Sequence, residues 1–230
     1  MVTRARNRRP NAGRARRTRS APLNRERILA AALTLTDREG LGALSMRTLG
    51  AALGVEAMSL YKHVASKDVI VEGLVTHALD EMDWSVDPRS PWQDRVATQV
   101  RSLRELGLRH PDAFRVLAAG PALGTASLRP LEGLLGALAD GGFARAHAVS
   151  VMWTIVSYVL GAVTGELAER KRAKKPKRKQ AVADSIESFP NVAAAAELLE
   201  GCDFEEELLA GLRRILAGAD AERSKRRRRE

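Results

Sequence analysis

The chain predicts an all-α fold, with an N-terminal three-helix unit of helix-turn-helix form and a larger helical body behind it. Three observations carry that prediction. Apolar residues recur at helical spacing along most of the chain, and no stretch alternates as a half-buried strand would. Pro and Gly breaks divide it into helix-length pieces. Within residues 24–67, caps, a tight turn and apolar pegs follow one another in the order a helix-turn-helix requires.

In order along the chain, a first helix (Arg25 to Arg38) ends at Gly40. Ser45 caps a second helix beginning Met46-Arg47-Thr48. Gly54-Val55 forms a tight turn, for which Gly54 supplies backbone freedom. A short third helix carries Met58 to His63, and Ser66 caps the next, which runs to Met82. The stretch from Asp83 to Pro91 is a break. Helices are expected at Trp92–Arg109, Asp112–Ala119, Ser127–Asp140, Ala144–Arg170, Asn191–Glu200 and Phe204–Ala217. The expected bounds are a disordered basic tail (1–20), the three-helix unit (21–67), a helical body (68–218) and a second disordered basic tail (219–230).

With 230 residues there is enough length for a substantial core. The net charge of +10 is uneven: residues 1–19 hold eight Arg and no acid, and residues 220–230 hold six basic residues against three acids. The body between them carries 24 basic and 25 acidic residues, so it is near neutral. Arg-rich tails of this kind bind nucleic acid without sequence preference, or simply stay solvated. A further run, Lys171 to Lys179, has seven basic residues in nine and is expected to stay unpacked. The longest apolar stretch, Val149 to Val163, is shorter than a membrane span and contains Ser150, Thr154 and Ser157. No signal-peptide core follows the basic start. A single cysteine, Cys202, can make no internal disulfide and suits a reducing cytoplasm. No membrane association is expected.

In a helix-turn-helix the second helix crosses the phosphate backbone while the third enters the major groove of double-stranded DNA. The capped start of the second helix suits a phosphate, and Arg47 and Thr48 sit in its first turn. Leu49, Leu53, Val55 and Leu60 are the expected pegs between the two helices. Outward positions on the third helix are Ala57, Met58, Ser59, Lys62 and His63, with Tyr61 at the rim. Tyr61 and His63 suit phosphate, and Lys62 suits phosphate or a guanine edge. Ala57, Met58 and Ser59 suit thymine methyls, and Lys67 adds another phosphate contact.

Gly40, Leu44-Ser45-Met46-Arg47, Leu53-Gly54-Val55, Leu60-Tyr61-Lys62-His63-Val64 and Ser66-Lys67-Asp68 together resemble the N-terminal domain of the TetR family. That resemblance implies a homodimer binding a palindromic operator, with reader domains moved by a small ligand in the C-terminal domain, usually relieving repression. The family's usual DNA contacts fall on Arg47, Thr48, Met58, Ser59, Tyr61, His63 and Lys67. Gly50 departs from the family's usual Ala, and helix propensity implies a slightly looser second helix, by up to about 1 kcal/mol.

Trp92-Gln93-Asp94, Gly142-Phe143 and Leu160-Gly161-Ala162-Val163 with Glu166 resemble the tetracycline-repressor type of C-terminal domain. In that type a His of the sixth helix takes part in magnesium–drug binding. The matching stretch here, Val116-Leu117-Ala118-Ala119, has none, so no metal and no cofactor are expected. Lys171–Lys179 falls where that type has a mobile loop.

Candidate ligand-contact residues, read as pointing between helices of the body, are Gln99, Leu103, Leu131, Trp153, Ser157 and Tyr158. Few charged residues fall inside these faces, which implies a small apolar ligand. His110 and His147 read as capping or surface residues. The homodimer is expected to form through the long helix (144–170) and the last one (204–217), on Ile155, Val159, Leu160 and Val163 and on Leu208, Leu209, Leu212, Ile215 and Leu216. Neither a Ser-His-Asp spacing, a metal-ligand pattern nor a Gly-rich phosphate loop stands out, so an enzyme is not expected. The competing reading is an architectural DNA binder acting through its Arg tails without sequence preference.

Overall fold

The computed structural model describes residues 22–82, 87–120, 128–173, 186 and 188–227. The N-terminal Arg tail, most of the Lys171–Lys179 run and the last three residues lie outside them. Among the described residues every regular element is helical.

Helix α1 (Arg25–Glu39) is capped by Asn24, whose side chain accepts the Arg27 N–H at 2.8 Å, and it closes on Gly40 in a left-handed-side conformation. One 3-10 turn, Leu41–Ala43, leads to α2 (Met46–Leu53), the turn and α3 (Ala57–Leu60). Helix α4 (Lys67–Asp80), capped by Ser66, packs against α1 on one side and α6 on the other, so it belongs to both halves of the molecule. The body follows as α5 (Trp92–Arg109), α6 (Pro111–Ala119), α7 (Leu128–Asp140) and α8 (Arg145–Ala173). It ends with α9 (Pro190–Ala194), α10 (Ala196–Glu200) and α11 (Phe204–Arg227). The expected single helix at Asn191–Glu200 is thus two short ones, because the chain leaves helical geometry at Ala195 (ψ 0°).

Helix α8 is the spine, packed by α5, α6, α7 and α11. Its 29 residues include a window apolar enough to cross a membrane by length and composition, which corrects the shorter estimate from Val149–Val163 alone. Ile155, Val159 and Val163 are nonetheless buried in the protein core. A fork of hydrogen bonds joins three helices: Arg104 on α5 grips Glu166 on α8 at 2.8 and 2.9 Å and Glu205 on α11 at 2.7 Å. The Glu166 hydrogen bonds hold the Arg104 guanidinium above its ordinary pKa despite burial. Such a pair strongly penalises loss of one partner, because the other is left charged and buried.

The C-terminal tail expected to be disordered from 219 continues α11 to Arg227. Ala219 is buried, and Arg223 donates to the Gly141 carbonyl while its guanidinium lies 5.4 Å from the Phe143 ring centre. Phe143 in turn meets Trp92 edge-on at 5.1 Å. The basic residues of this segment are therefore partly structural, which charge counting alone could not separate from a solvated run.

Candidate nucleic-acid interface and ligand cavity

The start of α2 is held by a capping box. Thr48 N–H donates to Ser45 Oγ at 3.1 Å, and Ser45 N–H donates to Thr48 Oγ1 at 3.0 Å. Thr48 Oγ1 also donates to the Ala43 carbonyl at 2.8 Å. Its hydroxyl proton is committed inside the turn, so the structure makes Thr48 a residue that positions the helix start. The sequence predicts a DNA contact at this residue; the hydrogen bonds show its part in the cap. Arg47 beside it is exposed and free to reach outward.

Leu49 and Leu60 are fully buried pegs, whereas Leu53 and Val55 are only half-buried. Gly54 takes the left-handed turn position (φ 70°). Gly50 has a reason beyond helix propensity: a Cβ there would lie 2.9 Å from the Val55 carbonyl oxygen and 3.2 Å from the Ala57 N. The α2–α3 turn folds against the bare backbone of Gly50, so the glycine tightens the motif, against the expected loosening.

After four helical residues α3 gives way to a turn closed by His63 N–H and Val64 N–H on the Leu60 carbonyl. Met58 is 71% exposed and Tyr61 48% exposed. Lys62, His63 and Lys67 are exposed, while Ala57 and Ser59 are half-buried. Burying Leu60 turns this group outward as one surface, with Arg47 on the neighbouring helix start.

In the body, a small cavity of about 60 Å³ is lined by Gln99 and Leu103 from α5, Leu131 from α7 and Val159 from α8, with Met82 at the end of the α4 segment. Three expected ligand residues, Gln99, Leu103 and Leu131, meet there. The other three do not. Trp153 and Ser157 lie on the exposed face of α8. Tyr158 is turned to α11, where its hydroxyl donates to the carbonyls of Glu207 and Leu208 at 3.1 Å. Burial raises its phenol pKa, with desolvation the largest cause. Helical spacing could not separate α8's inner from its outer face, because apolar and small residues run around most of it.

The two histidines read as capping or surface groups are both buried. His147 lies against Phe143. His110, at the α5–α6 corner, bridges the two halves of the molecule: Nδ1 lies 2.8 Å from Asp37 at the end of α1, and Nε2 3.0 Å from Glu81 after α4. Asp112 completes the junction by accepting the Leu41 N–H at 2.8 Å. His110-Pro111-Asp112 read in sequence only as a helix break and start. Its partners lie 29 to 73 residues away, for which a single sequence holds no signal.

Residues 28–74 match the sequence profile of bacterial regulatory proteins of the tetR family, and residues 86–223 that of the tetracyclin repressor-like C-terminal domain. The chain belongs to the TetR family. An HTH-type transcriptional regulator of Saccharopolyspora erythraea is 29% identical, over 90% of this chain and 89% of its own length. The HTH-type transcriptional repressor DrrR1 of Streptomyces coeruleorubidus is 29% identical over 86% of this chain and 77% of its own. Among solved structures, the TetR family protein ActR of Streptomyces coelicolor in complex with actinorhodin superposes with a TM-score of 0.75 at 28% identity, covering 88% of this chain and 99% of that one. This TetR-family protein is a ligand-responsive, DNA-binding transcriptional regulator, and the purely architectural alternative is not favoured. Helix α6 carries no His at Val116–Ala119, and no group of three or more potential metal ligands gathers among the described residues. The histidine that the resemblance places in the magnesium–drug site is thus missing from this stretch of α6.

Proposed function

We propose that the protein is a homodimeric repressor that binds a palindromic operator through Arg47, Met58, Tyr61, Lys62, His63 and Lys67 and is released by a small apolar ligand in the α5–α7–α8 cavity. Ala57 and Ser59 add close contact to thymine methyls. The observation that carries the reading is the joint exposure of Arg47, Met58 and Tyr61 around a fully buried Leu60. The cavity supports the ligand half: its walls are almost wholly apolar, with Gln99 as the polar exception. At about 60 Å³ it is far below the ~300 Å³ of a typical ligand pocket, so an inducer must part α5 from α7 to enter. Entry of that kind displaces α5, whose C-terminal corner holds His110 and thus the reader. The protein then acts in the cytoplasm, where its DNA is.

Footprinting on DNA upstream of the protein's own gene tests this. We expect one protected palindrome, preferred over random DNA by ~10³ or more. Arg47→Ala and Tyr61→Ala should each weaken operator binding about tenfold or more while leaving the thermal transition in place. Protection without a palindrome, or loss of folding in both variants, would sink it.

A further inference from the structure

A second and larger cleft lies at the junction of reader and body, about 470 Å³ against about 60 Å³ for the core cavity. It falls within the ~300–1,000 Å³ typical of small-molecule sites. Thr36 and Asp37 form its wall on α1, Asp112 and Arg115 on α6, and Arg170 and Lys171 on α8. Leu108 and Leu167 give it an apolar floor.

The polar groups of this cleft are unevenly satisfied. Thr36 is 1% exposed, and its hydroxyl has no hydrogen-bond partner in the protein. Leaving such a group unpaired costs about 1–3 kcal/mol, and native proteins keep few of them. Both carboxylates, by contrast, already have protein partners. Asp37 faces His110, and Asp112 accepts from Leu41 N–H and from Arg115. On the cationic side, Arg170 pairs with Glu166, which Arg104 also grips while holding Glu205. Lys171 makes no ion pair with the described residues. Among the described residues Lys171 is thus an unpaired cation of the cleft, set beside an apolar surface and an orphan hydroxyl.

We propose that this junction cleft binds a small organic anion with an apolar body and one carboxylate-like head, at a site separate from the core cavity. Its head would lie between Lys171 and Thr36, and its body on Leu108 and Leu167. An occupant touching α1, α6 and α8 together would fix the angle between reader and body. It would therefore be a second effector, acting on the hinge itself.

The test uses the full-length protein with methyl-labelled Leu and Val, titrated with 1-naphthoate and with its neutral match, 1-naphthalenemethanol. No operator is needed, so failure here leaves the regulator reading untouched. We expect saturable shifts of the Leu108 and Leu167 methyls with naphthoate, and at least about tenfold weaker binding of the alcohol. Lys171→Gln, an exposed position, should weaken naphthoate about tenfold, and Thr36→Val several-fold. Shifts confined to Leu131 and Leu134, equal affinity for acid and alcohol, or no saturable shift at all would each overturn the proposal.

Discussion

At Gly50, two physical arguments give opposite signs. Helix propensity favours Ala over Gly in a helix interior by up to about 1 kcal/mol. Packing opposes it, because the new methyl would meet backbone atoms of Val55 and Ala57, which cannot rotate away. Overpacking against fixed atoms costs about 1–3 kcal/mol, so the packing effect wins. Gly50→Ala should lower stability by about 1 kcal/mol and weaken operator binding, as the α2–α3 turn opens; a higher melting temperature with unchanged binding would show that the turn yields freely. Thr48 teaches the same lesson. Its residue type and position in α2 suggest a DNA contact, whereas its hydrogen bonds to Ala43 and Ser45 show a part in holding the helix start. Arg47, Tyr61 and Lys67 were legible as outward-facing side chains, and all three are exposed.

Among the elements, α11 shows a cap whose effect depends on pH. Asp203 Oδ1 accepts the N–H groups of Glu205 and Glu206, and these bonds lower its pKa. A carboxylate with a depressed folded pKa stabilises the fold above its unfolded value, near about pH 4, and that contribution is lost as pH falls through the folded value. Asp203→Ala should therefore lower the melting temperature at neutral pH and converge on the unmodified protein under acid. Parallel curves at every pH would count against the cap. Helix α8 poses a different question. Ile155, Val159 and Val163, read as a dimer seam, are buried with Leu208, Leu212 and Leu216 inside one chain. The outward face carries Ser150, Trp153, Thr154, Ser157, Gly161 and Thr164, mostly small groups that allow a second helix to approach. That exposed face of α8, beside α11, is our proposed dimer contact. A side chain at Gly161 meets nothing within 4 Å in the single chain. Gly161→Arg should thus leave the fold intact and yield monomers by sedimentation; an unchanged dimer would move the interface elsewhere.

Across the whole molecule, the reader and body are joined by few but specific bonds: His110 to Asp37 and Glu81, Arg109 to Glu81, and Leu41 to Asp112. A junction of this kind suits a switch, since modest ligand energy can rearrange it. Asp112→Ala leaves the Leu41 N–H without its partner, which should weaken the junction by about 1–3 kcal/mol. Calorimetry should then separate reader melting from body melting. One transition at the original temperature would mean that α4 alone couples them.

Local rules were enough for the helices themselves, their caps at Asn24, Ser45 and Ser66, the Gly54 turn and the outward basic and aromatic residues of the reader. Each depends on groups within about one helical turn, so adjacent residues contain the whole cause. Packing set the rest. It sent Trp153 and Ser157 outward and Gln99 and Leu131 inward, spent Arg223 on Gly141 and Phe143, and gave His110 partners from α1 and the end of α4. Those outcomes depend on which helix lies against which, and the contacting residues are far apart along the chain. Periodicity names a helix's apolar side, but only its neighbours determine what that side touches.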